Sequence, residues 1–247
     1  MAEQAGYLTR DDGARLAWRK IDGRGAAVVW LGGFRSDMTG TKAQALAEWA
    51  QAAGRSYVRF DYFGHGASDG DFQQGTITRW RADALAVLEA LVEGEAVLVG
   101  SSMGGWLACL AALAAPERIK AMVLVAPAPD FTEALMKPGL PPQGRAALER
   151  EGVWLRPSLY GEPYPITRTL LEDGARWSIL PGPVPIEVPV RILQGGEDPD
   201  VPWTHALELA QAIKGEDVVF TLVKDGDHRL SRPQDIARLI AAVGEVA

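Results

Sequence analysis

The chain has 247 residues, a formal net charge of −7, 47% hydrophobic and 23% charged residues. That length suits one large α/β domain with a substantial core, or two small domains. The acidic balance, with no basic cluster longer than two residues, argues against binding driven by nucleic-acid phosphates, and no apolar run reaches the length of a membrane span.

Met1–Gly6 has neither the charged-then-apolar layout of a signal peptide nor the pattern of an Arg-rich transit sequence. Tyr7-Leu8-Thr9 and Arg15 to Lys20 flank Asp11-Asp12-Gly13, a hairpin signal. Ala26 to Leu31 is a continuous apolar run, expected to be a central strand, and it ends at Gly32-Gly33-Phe34-Arg35-Ser36. Helical spacing of apolar residues runs from about Thr41 to Ala53. Tyr57 to Phe60 is the next strand, followed by a glycine-rich loop that contains His65. Thr76 is placed to cap a helix through Leu91. Ala96–Val99 is a buried strand, Trp106–Ala115 a helix and Ala121–Val125 another buried strand. The single cysteine, Cys109, excludes an internal disulfide and sits among Leu107, Ala108 and Leu110, as an inert buried thiol does. Cysteine and histidine are too sparse for a zinc site. These features fit a reducing cytoplasm.

Strands and helices therefore alternate from Ala26 to Val125, which predicts a largely parallel sheet with helices on both faces. The alternation breaks from Pro127 to Val188, which is rich in proline, shows no clear strand and has helix candidates near Gln143–Glu151 and Thr167–Ile179. About sixty residues are too many for a plain connection, so residues 127–188 are read as a cap inserted in a single domain spanning 1–247. Trp154, Leu155, Trp177 and Leu180 are expected to bury against the rim of the sheet. The alternation resumes with a strand at Val190–Leu193, a helix over Trp203–Ile213, a strand at Val218–Val223 and a closing helix at Pro233–Val243.

One turn in this series carries a chemical signature. Gly100-Ser101-Ser102-Met103-Gly104 fits G-x-S-x-G in one frame only, with Ser102 at the centre. A sharp strand-to-helix turn strains its central residue, lifts the Ser oxygen clear of the sheet and aims the Met103 N–H at a nascent oxyanion. A serine nucleophile needs a base, and the base needs a carboxylate. Of the three histidines, His228 follows a strand and so shares the carboxyl edge with Ser102. His65 lies on that edge too but reads as a backbone-bonding loop residue, and His205 as a helical surface or cap-contacting residue. Asp198 and Asp200 both follow the strand before the last one. Asp198 comes sooner, within a turn stiffened by Pro199 and Pro202, while Asp200 suits a turn or helix cap. Asp225 and Asp227 read as turn residues that aim His228. The order Ser, Asp, His is that of α/β-hydrolases. Behind Gly32-Gly33, the N–H of Phe34 supplies a second oxyanion donor. Gly33, Trp106, Trp154 and Trp203 are the candidate substrate contacts.

The sequence resembles the α/β-hydrolase superfamily over nearly its full length. Met38–Ala43, Arg59–Gly64, Ser68-Asp69-Gly70, Gly100–Trp106, Asp198–Trp203 and Asp227-His228-Arg229 look like its abhydrolase-domain-10 subfamily, as do Gly152-Val153-Trp154, Pro157-Ser158 and Tyr160. That subfamily comprises palmitoyl-protein thioesterases and mycophenolic acid acyl-glucuronide esterases. The resemblance implies an α/β-hydrolase fold, with Ser102 as nucleophile, Asp198 as acid and His228 as base. It further implies removal of S-palmitoyl groups from protein cysteines, or cleavage of acyl-glucuronides. Animal members carry a mitochondrial transit peptide, whereas this chain begins almost at its first strand and its Ala-, Arg- and Gly-rich composition suggests a bacterial member.

The expected chemistry is transfer of an acyl group from an ester or thioester, including one on an S-acylated protein, to water, with no metal or organic cofactor required. Small aryl esters, acyl-glucuronides and peptides are the rival substrates, and Arg35 or Arg229 is positioned in sequence to meet a carboxylate. A carboxylate is missing where a dehalogenase would need one. A hydrolase fold retained only to bind a ligand is the alternative from another class, and it has no need of all three catalytic candidates.

Overall fold

A computed structural model describes residues 2–157 and 163–247. In chain order the elements are β1 (Gln4–Thr9), β2 (Arg15–Ile21), β3 (Arg24–Leu31), α1 (Thr41–Ala53), β4 (Arg55–Phe60), α2 (Ile77–Leu91), β5 (Ala96–Ser101), α3 (Met103–Ala114) and β6 (Ile119–Val125). They continue with α4 (Pro142–Glu151), β7 (Val153–Arg156), β8 (Tyr164–Thr167), α5 (Arg168–Gly174), β9 (Val190–Gly195), α6 (Trp203–Ala212), β10 (Val218–Val223) and α7 (Pro233–Val246).

An apolar run without polar interruption stays a strand only if both its faces are covered. β5 and β9 are buried at every position, and each has a strand on both sides in an eight-stranded sheet of order β1-β2-β4-β3-β5-β6-β9-β10. Pairing is parallel from β4 through β10, and only the β1–β2 hairpin and its junction with β4 run antiparallel. Because side chains alternate along a strand, Val28, Val97 and Val123 pack on one face with Leu46 of α1 and Leu239 of α7. Val29, Leu98 and Met122 pack on the other with Trp80 of α2, Leu107 of α3 and Leu209 of α6. Thr76 caps α2 as expected, its side chain accepting from the Arg79 N–H. Cys109 is fully buried, and burial pushes its thiol up to about 12.

The chain runs outward from β3 to β4 and then crosses back to β5 on β3's other side. That reversal opens a crevice at the carboxyl ends of β3 and β5. Leu31 pairs with Gly100, so the loop after β3 and the turn after β5 leave the sheet side by side.

The segment 127–188 departs from expectation in detail. It contains an antiparallel pair, β7 with β8, where no strand was expected. Each strand is only four residues long and Pro165 interrupts β8, too little for a period-two pattern to register. A π-helical turn at Thr132–Met136 precedes α4, and α5 ends at Gly174, giving way to a 3₁₀ turn at Ala175–Trp177. Leu155, expected to be buried, is 61% exposed. Trp177 is half-buried and reaches α2 rather than the sheet rim, its Nε1 donating to Thr78 Oγ1 at 2.7 Å. The buried carboxylate of Asp130 ties the returning end of the segment, accepting from the N–H groups of Ile179 and Leu180. Ser158 and Tyr160, part of the subfamily resemblance, lie outside the described residues.

The turn between β5 and α3 is the tightest point of the fold. Ser102 has φ 55° and ψ −119°, a conformation that L-residues avoid. It is fastened by the Ser102 N–H to the Val125 carbonyl and the Gly105 N–H to the Ser102 carbonyl, both at 2.9 Å. A Cβ at Gly104 would lie 2.0 Å from the Leu31 carbonyl oxygen, and one at Gly100 2.3 Å from that of Gly104. Backbone cannot give way as a side chain can. Gly104→Ala is therefore expected to destabilise the fold by at least ~2 kcal/mol, read in thermal unfolding as a Tm lower by roughly 4–8 °C. An unchanged Tm would show that α3 does not need this close approach.

Candidate active site

Three strand ends deliver three side chains to one point. Ser102 leaves β5, the Asp198 turn follows β9, and the His228 loop follows β10. His228 Nε2 lies 3.1 Å from Ser102 Oγ, and His228 Nδ1 lies 2.8 Å from Asp198 Oδ2. The carboxylate only accepts, so Nδ1 carries the proton and Nε2 is left to accept from the serine hydroxyl.

Asp198 has no exposed side-chain surface. Besides His228, its Oδ2 accepts from Gln194 Nε2 at 3.0 Å, and its Oδ1 accepts from the N–H groups of Asp200 and Val201, both at 2.8 Å. Four donors thus satisfy a buried charge and fix the plane of the carboxylate. Asp200, the alternative acid, lines a cavity beside Ser102 and is not the helix cap, a position occupied by Pro202. The His228 loop is shaped as expected by Asp227, whose Oδ1 accepts from the Leu230 N–H, while Asp225 pairs with Arg232. Lys42 fastens the same loop from α1, its Nζ donating to the Arg229 carbonyl at 2.6 Å. Asp198, Asp200 and His228 place one ligand-type atom each within 4.8 Å of one another, the one such group among the described residues, but the atoms of Asp198 and His228 already face each other.

Two cavities meet at Ser102. One, about 550 Å³, is the more polar of the two and runs past the polar side chains of Arg35, Ser36, Thr41, Lys42 and Arg229. The other, about 170 Å³, is mainly apolar, with walls of Met103, Ala128, Phe131, Leu135 and Met136. Phe34, Arg35, Tyr164 and His228 line both. Phe34 and Met103 thus sit at the nucleophile, and among the described residues neither N–H donates to a backbone acceptor.

The four candidate substrate contacts separate. Gly33 lines the polar cavity. Trp106 does not reach either cavity: it is 0% exposed and packs edge-on against Phe131 at 5.5 Å. Trp154 lies half-buried against Gly144 of α4, and Trp203 is 41% exposed at the start of α6. A tryptophan offers so much apolar surface that core and interhelical contacts claim it as readily as a substrate does. His205 is buried, contrary to a surface position, and its Nε2 meets the Pro129 carbonyl at 2.7 Å, a contact with the inserted segment. His65 is the backbone-bonding residue expected, with Nε2 accepting from the Arg35 N–H at 3.2 Å and Nδ1 facing the Phe63 carbonyl at 3.2 Å. Sequence reasoning did not find Leu135, Met136 or Tyr164 as cavity residues. Their positions depend on the π-helical turn and the β7–β8 pair, neither of which has a periodic signature.

Residues 24–239 match the model of the alpha/beta hydrolase family. The mitochondrial palmitoyl-protein thioesterase ABHD10 of Bos taurus is 36% identical over 242 residues, covering 97% of this chain and 79% of the bovine protein. The human ABHD10 protein has the same identity and coverage. Among solved structures, a putative hydrolase from Agrobacterium vitis S4 superposes with a TM-score of 0.96 at 44% identity, covering 100% of this chain and 99% of that one. Mouse ABHD10 superposes with a TM-score of 0.90 at 35% identity, covering 98% and 97%. With its parallel sheet, its strained serine turn and these relatives, the chain belongs to the α/β-hydrolase family and is similar over most of its length to the ABHD10 proteins.

Proposed function

We propose that this protein is a serine thioesterase and esterase that transfers an acyl group to water through Ser102, with S-palmitoyl or similar long-chain thioesters as its substrate class. The single observation that carries the reading is the continuous hydrogen-bonded line Ser102–His228–Asp198 at the junction of the two cavities. His228 takes the Ser102 proton as the oxygen attacks the acyl carbonyl. The N–H groups of Phe34 and Met103 hold the oxyanion, worth about 3 kcal/mol for one donor. His228 then protonates the departing thiol or alcohol and later activates water to release the acid. The apolar cavity suits the acyl group, and the polar one suits the leaving group. The palmitoyl-protein thioesterase activity of the ABHD10 relatives supports the thioester assignment.

The size of the apolar cavity and the charge of the polar one favour a second reading. An apolar volume near 150 Å³ holds a benzene-sized group, and 170 Å³ is little larger. Arg35, Lys42 and Arg229 line the other cavity against the single acid Asp37. A small acyl ester with an anionic leaving group, such as an acyl-glucuronide, fits that arrangement.

Four measurements test these statements. Ser102→Ala is expected to abolish labelling by a fluorophosphonate probe, and undiminished labelling rejects the nucleophile. With that variant as blank, a kcat/KM higher for a palmitoyl thioester than for a short aryl ester supports the thioesterase reading, whereas the reverse order supports the small-ester reading. Asp198→Asn leaves the geometry but removes the charge that sustains the imidazolium, so kcat is expected to fall by about 10⁴-fold; a near-normal kcat would transfer the role to Asp200.

The fourth concerns Lys42. Burial pulls its ammonium down to about 8, the Arg229 charge acts in the same direction, and Asp227 opposes them. Lys42 is thus charged below that pH and neutral above it. For an anionic leaving group KM is expected to rise as pH passes from 7 to 9, while KM for a neutral analogue of the same acyl chain stays flat. Equal pH dependence for the two substrates would remove Lys42 from leaving-group recognition.

A further inference from the structure

Deepening that reading and resting on it, we infer that His65 is a positioning residue for the oxyanion loop: a neutral imidazole whose Nε2 lone pair captures the Arg35 N–H and so fixes the peptide that follows Phe34. The hydrogen bonds dictate the tautomer. A backbone N–H only donates and a carbonyl only accepts, so with Arg35 N on one side and the Phe63 carbonyl on the other, the proton sits on Nδ1 and the lone pair on Nε2. An imidazolium has no lone pair to offer and would break the first contact.

The loop needs this restraint. Ser36 turns back on Gly33, its N–H and its Oγ both bonding the Gly33 carbonyl at 3.1 and 2.8 Å. Gly33 to Ser36 is thus a four-residue turn, and Arg35, at its third position, has φ 55°. That is the mark of a type II turn, which favours glycine at the third position because its central peptide is flipped relative to a type I turn. Arginine does not relieve the strain as glycine would. His65 supplies an acceptor that only the flipped peptide reaches with its N–H. The same aromatic side chains clamp both partners. The Phe34 ring meets Phe72 and Trp80 at 4.9 and 5.9 Å, and the His65 ring meets those two at 5.0 and 5.2 Å. On the far side the loop lies against the nucleophile, since a Cβ at Gly33 would stand 3.3 Å from the Ser101 carbonyl oxygen and 3.4 Å from Ser102 Cβ. A small displacement of the turn therefore moves the Phe34 N–H relative to Ser102.

The surroundings keep the ring neutral. His65 is 3% exposed. Burial, helped by the Arg35 charge and opposed by the Phe63 carbonyl, pushes it down to about 4. Its state does not change where His228 must cycle between neutral and charged forms.

The test uses three variants of the full chain and a trifluoromethyl ketone analogue of the best acyl substrate, whose tetrahedral adduct carries an oxyanion. His65→Leu fills the space without an acceptor. His65→Asn reproduces the Nδ1 side only, and His65→Gln brings an oxygen to the Nε2 position. For His65→Leu and His65→Asn, kcat is expected to fall by about 10²-fold, the loss that a small misplacement produces. Ketone affinity is expected to fall in parallel, with KM little changed. His65→Gln is expected to recover much of both. A folded His65→Leu protein with wild-type kcat and ketone affinity overturns the proposal, as does a His65→Gln protein as impaired as His65→Leu. Should His65→Leu not fold, ¹⁵N NMR of the wild-type imidazoles decides. An Nδ1–H tautomer at pH 7 with Nε2 shifted as an acceptor upholds the proposal, and a protonated or Nε2–H ring overturns it. Failure of the acyl-transfer reading looks different, because the wild-type protein would then hydrolyse no ester or thioester before any variant is compared.

Discussion

Everything at the carboxyl edge of the sheet depends on one residue being held where its backbone does not rest. A non-glycine residue at φ 55° and ψ −119° lies well outside the favoured regions, at a cost of order 1–3 kcal/mol. Ser102 stays there because its neighbours leave no alternative. β5 is fixed by β3 and β6 on either side, α3 packs hard on the β3 end, and the Ser102 N–H is committed to Val125. The result is a hydroxyl raised above the strand ends and an unused N–H at Met103 directly beside it. A relaxed turn would lose both together, so strain and reactivity are two aspects of one geometry.

Two histidines on that edge show how environment divides a shared chemistry. His228 has 17% of its side chain exposed and a buried carboxylate on Nδ1. That carboxylate is itself held by Gln194 and two backbone N–H groups, so its orientation toward the imidazole is fixed. His65 has carbonyl and N–H neighbours and aromatic walls, and among the described residues no carboxylate hydrogen-bonds it. The first ring faces a hydroxyl and a carboxylate, and burial keeps the second neutral. Residue type and strand-end position are common to both, and the difference lies in what each ring nitrogen faces.

That difference also marks the boundary of what could be read from the chain. The parallel sheet, the elbow and the Ser–Asp–His order were legible because each has a local cause: buried strands as unbroken apolar runs, the turn as small residues around a serine, the partners as polar loops after strands. Asp198 was preferred to Asp200 on its distance from the strand, and the structure gives the physical counterpart in the Asp200 N–H, which donates to Asp198. Cavity residues were a different matter. Trp106, Trp154 and Trp203 were expected at the substrate because they are large, apolar and near the motifs, yet the core, the surface of α4 at Gly144 and the solvent-facing start of α6 take them. Leu135 and Met136 reach the site through a π-helical turn, and Tyr164 through a four-residue strand, so no periodicity in the sequence announces them.

In the proposed reaction the turn from Gly33 to Ser36 would link catalysis to selectivity. Phe34 and Arg35 belong to the walls of both cavities, the only part of the loop after β3 that does. Its backbone faces Ser102, its Phe34 ring closes the apolar side, and Arg35 lines the polar one. In the proposed reaction an oxyanion donor and a partition between acyl and leaving groups would be carried by the same four residues. A shift of the turn that opened space for a larger acyl chain would also move the donor away from the developing charge. Acyl-size selection in this enzyme is then more readily altered from the far wall, formed by Ala128, Leu135 and Met136, where a side chain can change without disturbing the peptide that faces the nucleophile.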